Sequence, residues 1–231
     1  MKIVTVSSHR PWEAYYVYDQ FFASANKFGY QPLVLKEGYQ GLGTKPAMLK
    51  RAIESGQITD EYICFTDCWD VVFQSDPLLG LHRVKNQIVF NAEKNCWPDP
   101  KLADKFPEST TPYRFLNSGF SMGPTALYLE ALKAMNADSI HRDYQNNDGT
   151  WVHYEDQLPW QKQYLFGNVP IALDHQCELC QTLHDVKPEE LDFSGEKIRN
   201  KEIGSEPIAF HANGSGKTNG CREAILNHLK L

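Results

Sequence analysis

The feature that most constrains this chain is an alternation of short apolar runs with helix-length spacers. The runs Met1–Val6, Gln31–Leu35, Tyr62–Phe65 and Gln87–Ala92 are each separated from the next in this way. Apolar runs of this length, bounded by turn residues, read as short core strands. Helix-length spacers between them imply parallel β-α-β units. A helix is predicted over Trp12–Phe28 with Gly29 as its stop, and another over Pro46–Ser55 with Thr44 as cap and Pro46 in its first turn. The expected fold is therefore α/β, with a central, mostly parallel sheet flanked by helices. Such sheets bind ligands at the carboxyl ends of their strands, and Asp67, Asp70 and Glu93 all fall at such ends.

Beyond residue 93 the pattern is less regular. Phe115–Met122 reads as a short strand, Thr125–Met135 as a helix, and His141–Thr150 as a polar loop. Glu155–Tyr164 reads as helical, and Pro170–Asp174 and Pro207–His211 as late strands.

The third apolar run leads into Thr66-Asp67-Cys68-Trp69-Asp70. Two carboxylates three residues apart at a strand exit are costly unless something positive sits between them. A hard divalent cation that also grips a phosphate fits that need; a turn with two solvated acids is the plainer alternative. Trp69 adds an aromatic that can pack on a base or ribose. Phe210-His211-Ala212-Asn213-Gly214-Ser215-Gly216-Lys217-Thr218 resembles a P-loop but fails the motif, because His211 stands where its first glycine belongs. Gly214 and Gly216 can still offer backbone N–H groups and Lys217 a charge to a diphosphate, with His211 as a metal ligand. A glycine loop without a ligand reads equally well.

Glu155 and Asp156 are adjacent carboxylates near a helix start. They read as dipole-stabilised caps, or as a catalytic base or electrostatic stabiliser. Cys177, Cys180, His175 and His184 lie close enough in sequence to suggest zinc, although zinc sites usually space their ligand pairs more widely.

With 231 residues, 42% hydrophobic and 12% aromatic, the chain can bury a sizeable core. Its net charge of −6 argues against a broad phosphate-gripping surface and against nucleic acid as a general partner. No apolar run reaches the ~18 residues of a membrane span, and the apolar part of the N-terminus is short for a signal peptide. Of the six cysteines only Cys177 and Cys180 form a tight pair, the others are too scattered for a disulfide framework, and free thiols are the simpler reading. A cytosolic location is the expectation from these features.

In order, these clusters resemble the glycosyltransferase domain of the procollagen lysyl hydroxylase and collagen glycosyltransferase family. The likeness is carried by Phe65–Val72, by Asn91-Ala92-Glu93-Lys94-Asn95-Cys96-Trp97-Pro98, and by Leu102–Pro107. It continues through Arg114-Phe115-Leu116-Asn117-Ser118-Gly119, Glu155-Asp156-Gln157-Leu158, Leu173-Asp174-His175 and Pro207–Gly214. The resemblance implies a GT-A type, Rossmann-like single domain over 1–231, with a nucleotide-binding part over about 1–95 and an acceptor and catalytic part over about 96–231. It implies a UDP-sugar donor and Mn²⁺ held by Asp67, Asp70 and His211. Val6, Ser8 and Trp69 would meet the uridine, and Lys45, Gly214 and Lys217 the diphosphate. Glu93, Trp97 and Asn117 would lie around the sugar and acceptor, with Glu155 and Asp156 as the catalytic carboxylates. A retaining transfer is implied. This chain departs from the family in having Trp69 where a tyrosine is usual, and His153-Tyr154-Glu155-Asp156 where a longer acidic run is common. The acceptor stays open: glycan, protein, small molecule, or a hydroxymethylated DNA base, DNA entering only as acceptor.

Overall fold

The structure is a computed structural model and describes residues 1–7, 18–140 and 143–231. Ser8 and the first part of the helix expected over 12–28 lie outside the described residues. In chain order the strands are β1 (Lys2–Val6), β2 (Leu33–Leu35), β3 (Tyr62–Thr66), β4 (Val71–Phe73), β5 (Ile88–Glu93), β6 (Phe115–Pro124), β7 (Tyr144–Gln145) and β8 (Trp151–Val152). They continue as β9 (Ile171–Asp174), β10 (Cys180–Thr182), β11 (Leu191–Asp192), β12 (Arg199–Asn200) and β13 (Ala209–His211). The α-helices are α1 (Tyr18–Asn26), α2 (Lys45–Glu54), α3 (Thr125–Ala134), α4 (Gln157–Phe166) and α5 (Cys221–Leu229).

Six strands form the main sheet in the order β2-β1-β3-β6-β5-β9. All its pairings are parallel except those of β6, which runs against both β3 and β5. The segment expected as a short strand is thus a ten-residue strand at the sheet's centre, and its direction breaks the simple β-α-β series. A smaller sheet, β10-β13-β4, pairs β13 parallel to β10 and antiparallel to β4. The polar segment expected as a loop over 141–150 contains β7 and the turn that joins it to β8 just beyond.

The period of two along the strands decides where the core sits. Val4, Ile63, Phe65 and Phe90 point to one face and pack with Leu49 of α2, Tyr128 of α3 and Trp160 of α4. Ile3, Cys64, Val89 and Met122 point to the other and pack with Phe21 of α1, Phe73 of β4 and Ala209 of β13. Burying both faces explains why these strands read as continuous apolar runs. Gly29 follows α1 at φ +80°, a conformation open to glycine at a helix end. Thr44 does not cap α2 with its side chain: Thr44 Oγ1 donates to Gly41 O at 2.7 Å.

The six cysteines are free thiols. Among the described residues no helix is long and apolar enough to cross a membrane.

Candidate active site

The acidic turn lies where the two sheets meet. Asp67 leaves β3, its N–H donating to Gly119 O of β6 at 2.8 Å. Asp70 sits just before β4, and the β4–β13 pairing sets Val71 opposite His211. Ala212 N–H then donates to Asp70 O at 2.7 Å, closing the corner. As a result His211 Nε2 lies 3.3 Å from Asp70 Oδ1, and Lys217 Nζ lies 3.2 Å from Asp70 Oδ2. Asp67, Asp70 and His211 each offer one ligand atom within 4.8 Å of the others.

Lys45, the first residue of α2, is buried between two carboxylates. Its Nζ lies 2.7 Å from Asp67 Oδ1 and 3.2 Å from Asp156 Oδ1. Burial works against its charge, but Asp156 and Asp67 outweigh burial and hold it protonated above the usual lysine value. Burial likewise pushes against ionisation of Asp70, yet His211 and Lys217 bring it below the usual carboxylate range. His211 loses stability as a cation through burial and regains more from Asp70, so its value is raised. Burial raises Asp156, with Lys45 opposing.

Glu155 and Asp156, adjacent in sequence, do different jobs. The Glu155 carboxylate accepts the N–H groups of Gln157 and Leu158, capping α4. Asp156 makes no side-chain cap bond and faces Lys45 instead. Burial pushes the Glu155 carboxyl up to about 7 despite the Leu158 bond.

These groups border an open pocket of about 420 Å³ lined by Val6, Lys45, Asp67, Trp69, Asp70, Trp97, Glu155 and Lys217. Trp69 stacks obliquely on Tyr18, ring centroids 4.8 Å apart. Trp97 is 53% exposed and precedes a cis peptide bond to Pro98. Its carbonyl accepts from Gln157 Nε2 at 2.6 Å and Gln161 Nε2 at 2.8 Å.

Among the described residues, five expected site residues do not line the pocket: Asp156 and His211, buried against Lys45 and Asp70, and Glu93, Asn117 and Gly214. Glu93 is buried, and its carboxylate accepts from Asn117 Nδ2, Gln157 Nε2 and Asn213 Nδ2 at 3.2, 2.8 and 3.0 Å. Burial raises its value, the amides opposing. Glu93 therefore gathers three elements beneath the pocket, with Asn117 as one of its donors. Gly214 packs on His184, whose ring lies 2.6 Å from where a Cβ would be built. Residues Gly214–Lys217 form a 3₁₀ turn rather than an open loop. Ser215 N–H donates to His184 Nδ1 and Gly216 N–H to Asn213 O, so of this segment it is Lys217 that reaches the pocket.

Sequence reasoning missed Tyr39, Leu42, Asp143, His153 and Tyr154, which also line the pocket. Asp143 Oδ2 lies 2.9 Å from His153 Nδ1, and Asp143 Oδ1 accepts Tyr154 N–H at 2.9 Å. A Cβ on Gly41, at φ +101°, would meet the Asp143 carboxyl carbon at 2.2 Å. Only that glycine hinted at a close approach, and nothing in its spacing pointed to residue 143. Among the described residues, Cys177, Cys180, His175 and His184 do not gather into a metal-binding group. Burial pushes the Cys177 and Cys180 thiols well up, His175 Nδ1 faces Tyr113 O, and His184 faces Ser215.

The sheet, the acidic corner and the lysines beside it agree with what the whole sequence shows. The chain belongs to the PLOD GT domain family, a glycosyltransferase domain family whose profile matches residues 1–229. It is 30% identical over 231 residues to human procollagen-lysine,2-oxoglutarate 5-dioxygenase 2, covering 92% of this chain and 29% of that protein. It is also 30% identical to the rat multifunctional procollagen lysine hydroxylase and glycosyltransferase LH3 over 226 residues, covering 87% of this chain and 28% of LH3. The chain thus spans less than a third of the length of these curated relatives. A glycosyltransferase involved in glycosylation of the major capsid of PBCV-1 superposes with a TM-score of 0.46 at 13% identity, covering 100% of both chains.

Proposed function

We propose that the pocket binds a UDP-sugar with Mn²⁺ and transfers the sugar to a hydroxyl acceptor. The observation that carries this reading is the convergence of Asp67, Asp70 and His211 beside Lys45 and Lys217. The donor set fits a divalent ion. Asp70 Oδ1 is buried and, beyond the 3.3 Å ion-pair approach of His211 Nε2, accepts no hydrogen bond among the described residues, a lack that a cation would satisfy. Two carboxylates and an imidazole suit Mn²⁺ or a similar hard-to-borderline ion. When bound, the ion supplies neutralisation of charge developing on the diphosphate.

The chain's own residues do the rest. Val6 and Trp69 would border the uridine end of the pocket; the family resemblance gives Ser8 the same role. Lys217 meets the diphosphate, and Gly214 sets the turn that carries it. Lys45 holds Asp67 and Asp156 in place and adds positive charge on the leaving-group side. In the transfer, the acceptor oxygen bonds to the anomeric carbon as the carbon–phosphate oxygen bond breaks; UDP leaves with the electron pair, and its departing diphosphate oxygen takes the proton of the acceptor hydroxyl. Asp156 and Glu155 lie on the sugar side, where negative charge supports an oxocarbenium-like centre. Trp97 offers an apolar face to the sugar or acceptor, with Glu93 and Asn117 shaping the floor. The family resemblance favours retention, and the acceptor is a hydroxyl on a glycan, a protein, a small molecule or a modified base.

Calorimetric titration of UDP with and without Mn²⁺ tests the reading. Tight UDP binding that requires the ion is expected, and ion-independent or absent binding sinks it. Asp70→Ala is expected to remove Mn²⁺ binding and UDP-sugar hydrolysis while the protein still melts cooperatively.

A further inference from the structure

Asn91, in β5, is fully buried and stands opposite an irregularity in β6. Phe90 pairs with Ser121 and Ala92 with Leu116, so Asn91 alone faces the four residues 117–120. Such a bulge frees backbone groups and re-aims side chains. The Asn91 amide closes it: in the orientation that satisfies both neighbours, its nitrogen donates to Asn117 O at 2.6 Å and Phe120 O at 2.9 Å. The amide oxygen is then the atom facing His211 Nδ1, 3.4 Å away.

The other sides of the ring are also fixed. Gly119, inside the same bulge, lies so close that a Cβ there would come 2.1 Å from His211 Cε1. Asp70 faces Nε2. Because both Asn91 donor hydrogens are committed to carbonyls, only its oxygen faces the ring, and a neutral His211 that carries its proton on Nδ1 finds its acceptor there. That leaves the Nε2 lone pair aimed at Asp67 and Asp70. Metal-binding histidines are commonly oriented by an acceptor on the far nitrogen.

The geometry points to Asn91 as the positioning residue that sets the His211 tautomer for a divalent cation, the same side chain stapling the β6 bulge. The inference rests on the metal reading above. Asn91→Leu and Asn91→Asp both lose the donor to Asn117 O and Phe120 O, so both are expected to lower the Tm. Only Asn91→Leu loses the acceptor facing Nδ1. Mn²⁺ affinity by calorimetry is expected to fall about 10–100-fold in Asn91→Leu and to be at least partly recovered in Asn91→Asp. Affinity that tracks Tm alike in both variants overturns the proposal, as does wild-type affinity in Asn91→Leu. A measurement on the wild-type protein needs no folded variant: ¹⁵N NMR of the metal-free chain at pH 9 is expected to show His211 protonated on Nδ1. A proton on Nε2 overturns the tautomer assignment. Failure of the wild-type protein to bind Mn²⁺ at all, with Nδ1 protonated, sinks the metal reading instead.

Discussion

At the scale of single residues, the site is held together by groups whose neighbours leave them little choice. Lys45 sits in the first turn of a helix, where the dipole disfavours a cation, and it is buried as well. Asp67 and Asp156 offset both penalties. Removing one partner of a buried ion pair strands the others, so Lys45→Met is expected to cost about 3 kcal/mol of stability, measured by denaturant unfolding. Gly119 is required for space rather than for backbone conformation. Gly119→Ala forces the buried His211 ring to move, at a cost of roughly 1–3 kcal/mol, and calorimetry is expected to show Mn²⁺ binding lost or strongly weakened.

At the scale of elements, the acidic corner depends on a pairing that links residues far apart in sequence. β13 lies antiparallel to β4, and the Ala212–Asp70 hydrogen bond is the last rung beyond it. Ala212→Pro removes that donor. It is expected to weaken Mn²⁺ binding while leaving the main sheet's far-UV signal intact; unchanged affinity would show that the rung does not position Asp70. This level also shows how much was legible beforehand. The apolar runs at Met1–Val6, Tyr62–Phe65 and Gln87–Ala92 were readable because strands buried on both faces have no other signature. Asp67, Asp70 and His211 were singled out from residue type and position, and the structure brings them together. The reversed direction of β6 was not readable, because direction is set by pairing partners and not by local pattern. Nor was the split between Glu155 and Asp156, since adjacent residues have equal claim to a helix start until Lys45 is in place opposite one of them. Asn91 had no readable role, because its partners come from β6 and from β13 of the smaller sheet, which no local spacing brings to it.

At the scale of the whole molecule, Glu155 links stability to pH. Its folded value is raised to about 7 from the ordinary 4.5, so the native state binds the proton more tightly than the unfolded chain. That contribution is fully present below about 4.5 and is lost as pH rises towards about 7. Glu155 is partly exposed, and screening reduces the effect to on the order of 1–2 kcal/mol. Glu155→Gln keeps an oxygen for the α4 amides and is expected to flatten that part of the stability–pH curve, measured by thermal melts between pH 4 and 8. An unchanged slope would assign it to another group.

The same crowding of charge has a consequence for the order of events. Asp67, Asp70 and Asp156 set three carboxylates against the two ammonium groups of Lys45 and Lys217. With His211 neutral, as a metal ligand must be, an anionic nucleotide of the proposed function would meet a surface tilted against it, and a divalent cation would reverse the tilt. Each ligand therefore raises the other's affinity, and thermodynamic reciprocity makes the two enhancements equal, typically about 5–150-fold. Under the proposed function the site would act as a logical AND: at low nucleotide it would shed its ion, at low ion its nucleotide, and only their joint presence would fill it.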